Sequence, residues 1–268
     1  MDKYVVYKIS GGLCHMLYTI NYLIQFSMIY NRTIVIDCGG GCFNNDFDKY
    51  FSIPSLKLNR DYYTKFNYDR LPEKRELCRK SGRYIWDNFR MTWDEISNSK
   101  DNVIICTFLT GQALDKILPN WHIFVKPEIL KLIGPKINSQ YIGLHYRNTD
   151  IKNDLGELVK GIDKYNINKI YLATDDYNGR DKLDGLRKGK FEILQFTKPD
   201  RDYPNGIHYM SKDKDKVIIS SLIDLYHLIN STHFIPSLNG VYNGKLHKSG
   251  FSRFVIKNRN EKIDFFNK

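Results

Sequence analysis

From Tyr141 to the C-terminus the sequence alternates short β-rich runs with helix-length apolar segments, and this rhythm restricts the fold more than any other feature. Tyr141–His145, Lys169–Ala173 and Phe191–Phe196 read as strands. Leu155–Tyr165, Asp181–Arg187 and Val217–Ile229 read as helices, and Thr232–Ile235 as a last short strand. Strands separated by helices of this length predict a parallel, doubly wound sheet. The N-terminus opens the same way, with a strand at Val5–Ile9, a Gly11-Gly12 turn, a long apolar helix at Leu13–Tyr30 and a buried strand at Arg32–Asp37. Residues 38–101 lack the period. Gly39–Gly41 break the chain there, and Asp46–Tyr50, Asp61–Arg70 and Trp86–Trp93 read as short helices and loops. Val103–Phe108 is a further strand, Trp121–Val125 a short one and Pro127–Ile133 a short helix. Gly134-Pro135 marks the boundary between an N-terminal α/β domain, 1–134, and a C-terminal one, 135–268.

In an open α/β sheet, ligands bind beyond the carboxyl ends of the strands. Polar residues gather at those ends in the second half: His145-Tyr146-Arg147-Asn148-Thr149-Asp150, then Thr174-Asp175-Asp176, then Pro236–Gly240 leading to Ser249-Gly250-Phe251-Ser252. Arg147 carries the permanent charge, in a planar fork that matches phosphate oxygens. Taken alone, Arg147 with Asp150 is equally an ordinary ion pair at a strand end. Asp224 is an acid within an otherwise apolar helix, so it needs a partner: a ligand's N–H groups, a lysine or a backbone N–H. Gly11-Gly12 permits close approach at the start of the first helix, with His15 in its first turn; a packing histidine is the alternative.

Net charge is +11, which fits nucleic acid, an anionic membrane surface or a phosphate-bearing small molecule. Weak peripheral attachment to an anionic membrane is compatible with that charge. No recognised nucleic-acid motif is present, no run of apolar residues is long enough to cross a membrane, and the N-terminus is unlike a signal peptide; a cytoplasmic address is the expectation. Five cysteines, at 14, 38, 42, 78 and 106, lack zinc-ligand spacing and are expected to be reduced. The sequence lacks both the P-loop and the G-x-G-x-x-G fingerprint. Two D-x-D strings, Asp46–Asp48 and Asp213–Asp215, leave a metal-dependent nucleotide-sugar transferase as an alternative, and a non-catalytic nucleotide- or nucleic-acid-binding module is a second.

Four segments resemble the fucosyltransferase superfamily of core α1,6-fucosyltransferases, Nod-factor fucosyltransferases and protein O-fucosyltransferases. LHYRNTD (144–150) resembles its H-x-R-x-x-D motif, and YLATDD (171–176) its Y-[VL]-A-T-D-D segment. SSLIDLYHLINSTHFI (220–235) is similar to its apolar helix with an internal Asp. GGLCHMLYTI (11–20) with RTIVID (32–37) looks like its Gly-rich first turn and second strand. The order and spacing agree over most of the chain. The resemblance implies a GT-B-like α/β fold of two Rossmann-like domains facing a cleft, the first on the acceptor side and the second binding the nucleotide sugar. It also implies GDP-fucose as donor, a glycan acceptor, inversion at the anomeric carbon, and no metal or other cofactor. Carried over, Arg147 holds the β-phosphate with Asp150 behind it, His145 and Asp224 face guanine and ribose, and Asp175 and Asp176 line the donor site. Gly11, Gly12 and His15 complete that site, while Ser249 and Ser252 contact the diphosphate. The chain departs from the pattern twice. Asn239–Lys248 are inserted before the Ser motif. After Asp150, Ile151 and Leu155 stand where core-type enzymes have a lysine and an acid, which leaves Asp154 or Glu157 as the base.

Overall fold

The computed structural model describes residues 3–9, 11–37, 43, 45–54, 74–80, 83–85, 100, 103–106, 121–187, 189–201, 203, 207–238, 240–242, 245–247 and 249–266. The chain divides into two compact units, Met1–Lys126 and Pro127–Lys268, and the division precedes the Gly134-Pro135 step.

In the first unit, strand β1 (Tyr4–Lys8) leads through helix α1 (Leu13–Tyr30) to β2 (Thr33–Asp37). Buried side chains surround α1, among them Met16, Leu17, Ile20, Leu23 and Ile24, as expected of a helix apolar on every side. The helix stops at Asn31, whose left-handed backbone (φ 49°) turns the chain so that the Arg32 N–H also reaches the Ser27 carbonyl at 3.0 Å. A 3₁₀ turn, Phe47–Lys49, precedes β3 (Phe51–Ser52). Then follow β4 (Lys74–Lys80), β5 (Arg83–Ile85), β6 (Val103–Cys106) and β7 (Phe124–Val125). The five-stranded sheet runs β2-β1-β6-β4-β5, parallel except for the β4–β5 hairpin, and β7 pairs with β3 outside it.

The strands β4 and β5 fall between the stretches of 38–101 read as short helices and loops, where no element was expected; of those stretches, Asp46–Tyr50 carries the 3₁₀ turn. The β4 sequence Lys-Arg-Glu-Leu-Cys-Arg-Lys has neither alternation nor β-branched residues, so pairing with β6 on one side and β5 on the other overrides its local preference. Gly39–Gly41, Asp61–Arg70 and Trp86–Trp93 lie outside the described residues.

The second unit opens with a single helical turn, Pro127–Leu130, followed by β8 (Ile142–Tyr146), α2 (Leu155–Ile162), β9 (Lys169–Thr174) and α3 (Gly179–Arg187). It continues through β10 (Glu192–Leu194), a turn at Ile207–Met210, α4 (Lys214–Ile229) and β11 (His233–Ile235). A hairpin of β12 (Gly240–Tyr242) and β13 (Lys245–His247) and a last helix, α5 (Gly250–Glu261), complete it. The strand read as Phe191–Phe196 pairs over Glu192–Leu194 only; of Val103–Phe108, the residues after Cys106 lie outside the described ones. The parallel sheet runs β10-β9-β8-β11. All five residues of β8 are buried, as a parallel strand covered on both faces should be. Ile142, Leu144, Ile170, Leu172, Val159 and Leu183 join in the core that fixes the strand.

Candidate functional site

The strand order decides where a ligand can enter the second unit. Connections from β8 run outward through β9 to β10, and the chain then returns to place β11 on the other side of β8. The order therefore reverses between β8 and β11, and the crevice at such a switch point is where open α/β sheets bind ligands. The segment after β8 is 147–154, and the segment after β11 starts at Pro236-Ser237.

Arg147 stands at the end of β8. Its Nε donates to Asp150 Oδ1 at 2.9 Å and its Nη2 to Asp150 Oδ2 at 2.7 Å, a two-pronged pair with both side chains 17% exposed. Nη1 has no hydrogen-bond partner among the described residues. The pair thus fixes the guanidinium plane and leaves one edge for a ligand. Asp175 adds charge at 3.8 Å from Nε.

The acids after β9 serve this loop. Asp175 accepts from the Asn148 N–H at 2.7 Å and from the Thr149 hydroxyl at 2.6 Å. Burial pushes its carboxyl up, against the pull of those two bonds and of Arg147. Asp176 accepts from Asn148 Nδ2, from Lys182 Nζ and from the Asn178 N–H. Burial raises it too, but those three contacts outweigh burial and hold it below the usual carboxylate range. Both carboxylates are therefore engaged in shaping the segment that carries Arg147.

A serine network ties the other side. Ser252, wholly buried, accepts from the Ser237 N–H at 2.9 Å and shares a second hydrogen bond with His145 Nδ1 at 2.8 Å. Burial, with the Arg147 charge, lowers the His145 imidazole to about 3 and so keeps the ring neutral. Phe251 packs on the ring at 4.9 Å. Ser249 caps α5, accepting from the Ser252 N–H. Ser237, within the Pro236–Gly240 run but not singled out as a site residue, accepts from the Arg147 N–H at 3.4 Å. Its signal was its place, directly after a strand end.

Among the described residues, Asp224 has neither lysine nor backbone as partner. Its Oδ1 accepts from Tyr171 and Thr197, both at 2.7 Å, and burial raises the carboxyl to about 7 despite both bonds. Asp154 is exposed and caps α2 through the Gly156 N–H at 2.8 Å, while Glu157 pairs with Lys160. Gly11 has φ +77°, which strains any other residue, and a β-carbon there would sit 3.1 Å from the His15 ring; burial lowers His15 to about 4. Gly11, Gly12 and His15 belong to the first unit, and the other candidate residues to the second.

Both D-x-D strings cap turns. Asp46 accepts from the Asp48 N–H at 3.0 Å, and Asp213 from the Lys216 N–H at 2.9 Å. Among the described residues no three His, Cys, Asp or Glu side chains cluster to hold a metal, and no helix is long and apolar enough to cross a membrane.

No protein-family model matches the sequence, and no curated protein does. Solved structures do. Fucosyltransferase NodZ from Bradyrhizobium superposes with a TM-score of 0.57 at 16% identity, over 96% of this chain and 93% of that one. The chain has the fold of NodZ. A NodZ alpha-1,6-fucosyltransferase soaked with GDP-fucose gives 0.56 at 17% identity, over 95% and 92%, and one co-crystallised with GDP gives 0.54 at 18%, over 96% and 92%. The likeness to NodZ thus spans nearly the whole of both chains.

Proposed function

We propose that this protein is an inverting, metal-independent fucosyltransferase that moves L-fucose from GDP-fucose to a hydroxyl of a glycan acceptor. The observation that carries the reading is Arg147, forked on Asp150 at the switch point of the sheet, with Nη1 unpartnered among the described residues. The NodZ structures obtained with GDP-fucose and GDP support the choice of donor.

In this reading Arg147 holds the β-phosphate. The acceptor oxygen attacks the anomeric carbon from the side opposite GDP, the bond from that carbon to the phosphate oxygen breaks, and the electron pair leaves with GDP. Negative charge then grows on the phosphate, where a fixed cation in a preorganised site stabilises it most. Asp150 prevents the guanidinium from swinging away. Asp154, exposed four residues further on, takes the acceptor's proton, and release of its cap on α2 accompanies that step. Asp224 offers Oδ2 to the N–H edge of guanine while Tyr171 and Thr197 hold Oδ1.

Arg147→Ala should lower turnover of GDP-fucose by about a hundredfold or more while the circular dichroism spectrum is retained. Near-normal turnover in that variant would refute the assignment. Turnover in excess chelator should match that without it; loss on chelation would return the metal-dependent alternative.

A further inference from the structure

The insertion between Ser237 and Ser249 is a hairpin, and it grips the segment that carries Arg147. The Lys152 N–H donates to the Val241 carbonyl at 3.0 Å, and the Val241 N–H donates to the Lys152 carbonyl at 2.8 Å. Beside this bridge Gly240 lies so close to the loop that a β-carbon there would overlap Ile151 Cγ2 and sit 2.8 Å from Asn153 Nδ2. Asn153 Nδ2 in turn donates to the Arg147 carbonyl at 2.8 Å. The Arg147 N–H goes to Ser237, where the hairpin leaves the sheet, and the Ser249 N–H closes the stem on the Ser237 carbonyl at 3.3 Å. Both main-chain polar groups of Arg147 are thus held by residues of, or packed on, the hairpin and its stem.

We infer that the β12–β13 hairpin is a latch that sets the position of Arg147, with Gly240 as its positioning residue. The inference rests on the proposed function for what Arg147 binds. A backbone shift of a few tenths of an ångström at 151–153 moves the Arg147 carbonyl and turns the side chain relative to Asp150. Only glycine at 240 lets the two segments meet closely enough to prevent this.

The test compares Gly240→Ala and Val241→Pro with Gly185→Ala, whose β-carbon would meet nothing within 4 Å. Val241→Pro removes one bond of the bridge at an exposed position without adding bulk, so it serves if Gly240→Ala fails to fold. Calorimetry with GDP and GMP reads the grip on the β-phosphate. Hydrogen exchange of the peptide spanning 145–154 reads the latch itself. The latch predicts that either variant weakens GDP by about tenfold, leaves GMP within about twofold and speeds exchange across 147–153, while Gly185→Ala does none of these. An unchanged ratio of GDP to GMP affinity overturns the inference, whether or not exchange speeds up. If the wild-type chain itself does not prefer GDP to GMP, the proposed function falls. Exchange then decides the latch alone, with faster exchange upholding it and unchanged exchange refuting it.

Discussion

At the scale of single residues, Asp224 gives the clearest dependence on pH. Folding raises its carboxyl from 3.8 to about 7, so the folded chain binds a proton that the unfolded chain has released. Between those values the protein should lose stability as pH rises. Binding of GDP should change in the opposite sense. A guanine edge donates N–H groups, and the ionised carboxylate accepts them, so affinity should increase as pH rises through about 7 and fall by up to tenfold per unit below it. His227, whose ring packs against Tyr171, is lowered by burial to about 4 and stays neutral across that range. Asp224→Asn should flatten both curves. Melting temperatures and calorimetric GDP titrations over a pH series measure them, and a GDP affinity flat with pH in the wild type would remove Asp224 from the guanine site. The acid was legible because a carboxylate inside an apolar helix demands a partner. Its partners, Tyr171 and Thr197, were not, since hydroxyls 53 and 27 residues away meet it only across the folded sheet. Arg147 and Asp150 were legible for the opposite reason: three residues apart at a strand end, they meet locally.

At the scale of elements, the join between α5 and β8 hangs on one hydroxyl. Ser252 satisfies the Ser237 N–H and His145 Nδ1 together, and all three groups are buried. Ser252→Ala strands both partners and should cost about 2–6 kcal/mol, two unsatisfied buried groups at about 1–3 kcal/mol each, measured by urea unfolding. The destabilisation should persist at every pH above about 5, because His145 stays neutral there. A loss below about 1 kcal/mol would mean that the two partners find other acceptors or donors. The elements differ in how far local sequence specifies them. Helix α1 has the bounds expected, Leu13–Tyr30, because a glycine pair precedes it and Asn31 stops it. The inserted segment before Ser249 carried no strand signal, yet it forms β12 and β13, whose pairing arises between two three-residue runs and a bridge to Lys152. Strand β4 was missed for a similar reason, since its ladder with β6 joins residues about thirty positions apart in the chain.

At the scale of the whole molecule, the candidate groups divide unequally between the units. The arginine, its acidic partner, the serine network and Asp224 all lie within Pro127–Lys268, and each contact described for them is made inside that unit. The unit also has its own parallel sheet and core, the attributes of a domain that folds alone. Residues 127–268 expressed separately should therefore fold cooperatively and bind GDP within about tenfold of the full chain's affinity. They should transfer no fucose if the first unit holds the acceptor, as the family resemblance implies. Calorimetry with GDP and a product assay on the fragment test both statements. Folded fragment that binds GDP a hundredfold or more weaker would shift weight to Gly11, Gly12 and His15, and would make the glycine turn before α1 a true part of the donor site. Fragment that still transfers sugar would place the acceptor in the second unit, beside the hairpin that holds Arg147.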